Sequence, residues 1–587
     1  MKKLAFVFFA CILAASAWAK VSAFESVIAR PTADSLVYFR VDSIVVENGD
    51  AFDDSKAYSW ADSLVYRIGN VVHLETRKSV VKKLILFDVG DTVNLYELIE
   101  SEKNLRNQAY IADAHIERIV TAEGKNILRV KTSDTWTLTI PLSIERPSDG
   151  PLYYGIGLWE NNFLGFGQTI GVYYSHDEFR DRFMALYNNS NFLFRHNRFE
   201  ISLSDNTDGY TNYITMYRPY LSRKKNEWTY TAAGYMNQED VKYYWTGKLP
   251  TGRTEMSVAD SVLEDLPRYG KKEGNELVRV KKLEEDSASF HVGRSFGTEE
   301  FKVYLSLGYD YHRLGRSYGD VSRYLFREGG RAFAVDSASV KEWIPQMLDS
   351  RFGVSITLSR IRYDRLVNFK HAKWTEDVDK GYSVKVGYSK NWKSLGALDD
   401  DSRLDYKIYL AFGSRTHHLM LNAKSHFYFN SEERRDIYEF ASLEYIWRSN
   451  EWFSTQVSGY MDAYKEAAYG RQLSLGGLSG QEFYGFPTYL YTGQARFFGQ
   501  IEERFFPHFE IGTVAPVFAV FFKAGETAAS IHQFEPDDLT YVVGFGLRLA
   551  MTKSVSGLVN HLNFSWPLNG PLVSPMPRIA LVGLFSL

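Results

Sequence analysis

The chain has 587 residues, 68 Lys+Arg against 71 Asp+Glu and a formal net charge of -3, a near-neutral balance that gives no case for nucleic acid. Its single cysteine, Cys11, lies in the apolar N-terminal stretch, so a disulfide or thiolate metal site in the rest of the chain is excluded. Aromatic residues make up 16%, with Tyr 39 and Phe 40, a share that suits the interfacial girdles of a membrane barrel.

Residues 1–19 read as a secretory signal. Lys2 and Lys3 form the charged start, Leu4 to Ala15 the apolar core, and Ala17-Trp18-Ala19 a small-x-small cleavage site. Residues 20–35 read as a linker. No later apolar run approaches the roughly 18 residues that a transmembrane helix needs.

Residues 36–135 read as a small α+β domain. Val37 to Val46 has a strand pattern, followed by a linker-like insertion from Asp50 to Trp60. Thr76 is expected to cap a helix carrying Val80, Val81, Leu84 and Ile85 on one face. Gly90-Asp91 marks a turn, and Asn94 caps a second helix with Leu95, Leu98 and Ile99 inward. Two strands, Ala109 to Val120 and Asn126 to Thr132, are joined at Glu123-Gly124-Lys125.

Past Pro147 the pattern has a period of two. Phe301, Val303, Leu305, Leu307 and Tyr309 interleave with Lys302, Tyr304, Ser306, Gly308 and Asp310. Tyr382 to Tyr388 and Tyr541 to Met551 alternate in the same way. One face is apolar and the other polar or small, which is the demand made on a transmembrane β-barrel with lipid outside and a polar lumen inside. Counting such segments from Thr137 to Leu587 gives about twenty, an even number as closure of an antiparallel wall prefers. Short joints such as Gly297–Glu300 and Ser414–His417 suit turns at one end, and the polar stretches 246–286 and 312–349 suit long loops at the other. A large soluble β-sandwich or solenoid is the alternative to a barrel.

No motif points to an enzyme. Gly247 to Thr254 imitates a phosphate loop but has Arg253 in place of the lysine and lacks a strand-to-helix context. Gly477-Leu478-Ser479-Gly480-Gln481 misses the last glycine of a nucleophile elbow. Asp399-Asp400-Asp401 offers a cation site only as a solvated loop would. No cofactor is expected.

Three stretches are specific. The first runs from Asn70 and His73 through Gly90-Asp91 and Glu100-Ser-Glu-Lys-Asn-Leu-Arg106 to Val130-x-Thr132-x-Asp134-x-Trp136. The second is Leu158-Trp-Glu-Asn-Asn-Phe-Leu-Gly-Phe-Gly167, and the third is Leu475-Gly-Gly477 through Phe483-Tyr484-Gly485-Phe486 to Glu502-x-Arg504-Phe505. Together, in this order, they resemble the last POTRA domain, the turn between the second and third barrel strands, and the sixth extracellular loop of the BamA/TamA superfamily of outer-membrane insertases and translocases. The β-α-α-β-β order of residues 36–135 is likewise the shape of a POTRA module.

The resemblance implies an antiparallel barrel over residues 136–587, sixteen strands by family, set in the bacterial outer membrane with the POTRA domain in the periplasm. It implies insertion or translocation of unfolded outer-membrane or secreted clients, with the lipid bilayer and periplasmic or lipoprotein accessory subunits as partners. A passive porin or surface adhesin with a periplasmic cap is the alternative function. A two-partner secretion transporter is less expected, since few residues precede the first strand pattern. The family loop carries an arginine that pairs with acidic groups in the lumen. Here Tyr484 stands at that position, and Lys523 stands where the family has an aspartate. The expected lock therefore joins Tyr484, Gly485 and Phe486 to Glu502, Arg504 and Lys523, with Lys523 pairing to Glu502. Ile579, Leu581, Phe585 and Leu587 share the outward face of a terminal targeting strand.

Overall fold

The computed structural model describes residues 37–52, 66–67, 69–70, 73–145, 152–177, 179–244, 253–257, 276–315, 317, 319, 324–328, 331–335, 346–367, 369–370, 374–430, 434–465, 471–476, 483, 486, 491–554, 559–570 and 573–585. The expected signal, the linker, Tyr484, Gly485 and Leu587 lie outside the described residues, as does most of the Asp50–Trp60 insertion.

The N-terminal unit follows the expected order. Ser43–Gly49 runs parallel to Asn126–Asp134, which pairs on its other side with the antiparallel Ile111–Val120. The helices Lys78–Leu84 and Leu95–Arg106 close over this sheet, burying Val46, Val81, Leu84, Leu98, Leu105 and Val130. Asn94 caps the second helix as expected: Glu97 N–H donates to its side chain while the Glu97 carboxylate accepts from Asn94 N–H. Two details differ. Arg77, not Thr76, is the N-cap of the first helix, and the Thr76 hydroxyl that a cap would use instead accepts from Asn162 Nδ2 at 2.9 Å. Leu95 is exposed rather than inward, since the capping turn leaves Leu98 as the residue over the sheet.

Twenty strands form a closed antiparallel barrel from Leu138–Glu145 to Arg578–Phe585. Each strand pairs with its chain neighbours and the last pairs with the first. All twenty expected segments carry a wall strand. The figure of sixteen implied by the resemblance is thus corrected to twenty. The register confirms the two faces. Leu305, Leu307, Val354 and Ile356 point outward and are exposed, while Tyr304, Ser306, Ser355 and Thr357 share the inner face. A further three-stranded sheet, Arg253–Met256, Arg331–Val335 and Tyr324–Glu328, stands on the long loops at the end away from the N-terminal unit.

Candidate functional site: seam, lumen loop and covered mouth

Among the described residues the barrel closes on a seam of six pairs. Arg578–Phe585 meets Leu138–Glu145 over six pairs, Ala580↔Glu145 to Phe585↔Ile140, and meets Val559–Pro567 over five. The first two wall strands likewise share six pairs and the second and third seven, whereas on the far wall Met347–Val367 and Thr375–Asn391 share seventeen. Pro141, opposite Leu584, has no N–H to give, and the ladder between the first two wall strands skips Ile140 and Pro141. On the closing strand, Arg578 and Ala580 are buried inward and Ile579 is exposed outward, with Leu581 half-buried on the same face. Phe585 keeps the register by pairing with Ile140.

A loop folds back inside this wall. The strands Leu473–Leu475 and Tyr491–Gly493 form its base, and Phe483 and Phe486 are fully buried with Leu475, Tyr491, Phe498 and Val542. Phe483 presses on Gly525, where an added Cβ would sit 3.0 Å from the ring. Arg496 ties the base to the wall: it donates to both Asp462 carboxylate oxygens, at 3.0 and 2.9 Å, and to the Ser474 carbonyl at 2.7 Å.

The ion pairs of Glu502 correct the expected lock. Its carboxylate accepts from Arg504 Nε at 2.5 Å and from Arg548 Nη2 at 2.7 Å, so Arg548 takes the place given to Lys523. Lys523 lies opposite Gln500 in the ladder, while Glu502 lies opposite Phe521. The Lys523 ammonium stands over the Phe521 ring at 5.0 Å. Arg548 reaches across the intervening strand because the ladder neighbours of Arg504 there, Ala519 and then Gly546, are small. A Cβ at Gly546 would be 2.4 Å from Arg548 Nη1. Arg548 also donates to Asn563 Oδ1 at 2.7 Å. Alternation had already set Arg548 on the inner face; what it could not show was which cation would reach Glu502.

The Asp399–Asp401 run is divided. Asp401 turns inward to accept from Arg351 Nη2 at 2.6 Å, and Asp400 accepts from the Lys393 N–H. Among the described residues no group of acidic, histidine or cysteine side chains is arranged to hold a metal.

The N-terminal unit sits under the barrel mouth and touches turns spread around the rim. Arg106 Nη2 donates to both Asp377 oxygens at 3.1 Å, Lys224 pairs with Glu97 at 2.8 Å, Arg365 with Asp113 at 2.9 Å and Arg195 with Asp88 at 2.6 Å. Arg195 also donates to the Ile85 carbonyl at 2.7 Å, beyond the end of the first helix. On the seam side, Trp136 N–H donates to the Lys553 carbonyl at 2.6 Å. The expected turn at Asn161–Gly167 meets the unit directly: Asn162 Nδ2 donates to Thr76 Oγ1 at 2.9 Å, and a Cβ at Gly165, whose φ is +73°, would lie 2.4 Å from the Glu75 carbonyl. The Glu100 carboxylate accepts from Ser222 O–H and Arg223 N–H, and burial pushes its pKa up to about 7.

No family model matches the chain, and no curated protein matches it. Among solved structures it is similar to CdiB from Escherichia coli, at 12% identity over 96% of this chain and 94% of that one, with a TM-score of 0.41. CdiB from Acinetobacter baumannii is similar at 12% identity over 93% and 74%, TM-score 0.40. BamA from Haemophilus ducreyi lacking POTRA domains 1–3 gives 12% over 92% and 85%, TM-score 0.35. At TM-scores below 0.5 these likenesses carry no functional argument, which has to come from the seam, the loop and the covered mouth.

Proposed function

We propose that the protein inserts proteins into the bacterial outer membrane, or moves them across it, as a BamA/TamA-type barrel with one periplasmic POTRA domain. The observation that carries this reading is the seam: among the described residues six pairs, with a proline opposite the closing strand, join the first and last of twenty strands. Backbone groups freed there in lipid have no water to satisfy them, so an incoming strand is a favourable partner. The domain supplies a second strand edge. Glu102 accepts from the Ile116 N–H and Arg106 donates to the Ala114 carbonyl, which occupies the outer edge of Ile111–Val120. The opposite edge strand, Ser43–Gly49, pairs among the described residues only with Asn126–Asp134 and is the edge offered to a client by β-augmentation. Accessory periplasmic or lipoprotein subunits would dock on the same domain.

The experiment is a crosslink of the seam. Ile144→Cys with Leu581→Cys joins register partners. Oxidised, the folded barrel should lose client insertion, and reduction should restore it. Undiminished insertion by the oxidised form removes the seam from the mechanism. Steady open-channel conductance of the native chain would favour the passive porin instead.

A further inference from the structure

Three lysines stand in one row on the inner wall. Lys385 is the direct ladder partner of Lys407, and Lys407 of Lys424, on three adjacent strands. All three are exposed to the lumen, and among the described residues neither Lys385 nor Lys407 has an ion-pair or hydrogen-bond partner. Like charges directly opposite each other repel and destabilise the pairing. The wall bears this twice in succession, with Thr357 and Phe440 as the flanking residues of the row.

The row borders a lumen cavity of about 390 Å³ that Lys385 lines together with Arg351, Arg403 and His291. Its floor is made of small residues, Gly353, Ser355, Gly387 and Ser389. Arg351 is 3% exposed, and although its Nη2 donates to Asp349 and Asp401, its Nε and Nη1 have no hydrogen-bond partner. Arg403 Nε is also unpartnered, and the Tyr428 ring holds the Arg351 and Arg403 guanidiniums 4.7 and 5.7 Å from its centroid. Buried N–H groups left without an acceptor are rare in folded proteins, so the positive charge of this wall is not fully matched by hydrogen bonds. The carboxylates of the cavity are already engaged: Asp310 with His291 at 2.8 Å, Asp349 with Arg351 at 3.1 Å and Asp405 with Arg403 at 2.9 Å.

We propose that this cavity and the lysine row bind a soluble, multiply charged, phosphate-bearing anion. Phosphate oxygens match the forked N–H groups of arginine and accept from several ammonium groups at once. The cavity volume falls within the range of small-ligand sites, and the barrel wall separates it from lipid, which selects a soluble ligand over a lipid headgroup. The proposal is independent of client insertion at the seam.

The test uses the full chain in detergent micelles at fixed ionic strength, titrated calorimetrically with inorganic pyrophosphate and, separately, with acetate. Pyrophosphate should bind saturably and at least tenfold tighter than acetate. The double variant Lys385→Gln, Lys407→Gln should weaken pyrophosphate at least tenfold, whereas Lys407→Arg should keep it within threefold. Heat-modifiable migration verifies that each variant is a folded barrel. Absence of saturable binding, equal binding of acetate, or undiminished affinity in the double variant would overturn the assignment and leave only a general attraction for anions.

Discussion

The guanidinium of Arg578 lies 5.0 Å from the centroid of the Phe486 ring, so the first residue of the closing strand touches the buried anchor of the lumen loop. This contact couples the two devices on which the proposed function rests. A loop that stays packed braces the closing strand at its far end, while the other end of the same strand is held by the short pairing around Pro141.

Phe486 is fully buried against Phe483, with ring centroids 5.0 Å apart. Phe486→Ala should weaken loop packing by about 3–5 kcal/mol, as for other large-to-small core changes. Arg578→Ala should cost less, about 0.5–2 kcal/mol, the range of a cation–π contact. Amide hydrogen exchange at Leu475, Tyr491 and Ala580 reports both. Faster exchange at Leu475 and Tyr491 with no change at Ala580 would mean that loop and seam are uncoupled.

Glu502 and Arg548 side chains are each 4% exposed. Removing the carboxylate leaves Arg548 and Arg504 facing each other, and breaking a buried pair in this way costs about 3–5 kcal/mol. Glu502→Ala should therefore lower the urea midpoint of barrel unfolding strongly. A double-mutant cycle of Glu502 with Arg548 should show coupling of at least about 1.5 kcal/mol, against less than about 0.5 for Glu502 with Lys523. The reverse order would reinstate the lysine as the partner of the glutamate.

The wall was legible in the sequence because alternation is a property of each strand alone: Tyr382 to Tyr388 states its two faces without reference to a neighbour. Partner choice is a property of several strands at once. Nothing local to Lys523 says that Glu502 lies one diagonal step away, or that Ala519 and Gly546 clear a path for Arg548. The docking of the domain was hidden for the same reason. Arg106 and Asp377 are 271 positions apart, and only the closed barrel brings them together. Asn94 was readable because its capping box spans three residues. Thr76 fits the cap pattern locally, but its hydroxyl is engaged by the distant Asn162, which no local signal shows.

Docking of the domain should depend on pH through Glu100. Its ordinary pKa is 4.5, and burial against Ser222 and Arg223 raises it to about 7. Between those values the docked state binds more protons than the undocked one, so docking strengthens as pH falls from 7 toward 4.5, weakens as pH rises through that window, and is level at its weakest above it. The full excursion is on the order of 3 kcal/mol. Lys224, paired with Glu97 at the same turn, stays charged throughout that window and does not cancel the effect. Distances between spin labels on the domain and on the turn 219–227 should show more undocked chain at pH 8 than at pH 5.5. Glu100→Gln should flatten that dependence; a native profile in the variant would assign it to another group.

The closing strand offers a parity test on adjacent residues. Leu581 pairs outward with Ile144 and Leu562, whereas Val582 pairs with Ser143 and His561 on the inner face. Leu581→Arg places a charge toward lipid, at a cost of up to about 2–4 kcal/mol if the residue stands at mid-membrane depth. The variant should therefore accumulate as unfolded chain. Val582→Arg points to the polar lumen and should assemble at nearly native levels. The readout is the fraction of heat-modifiable barrel in purified outer membranes. Equal assembly of the two variants would mean that the closing strand has slipped by one residue, which would exchange its faces and undo the pairing Ala580↔Glu145.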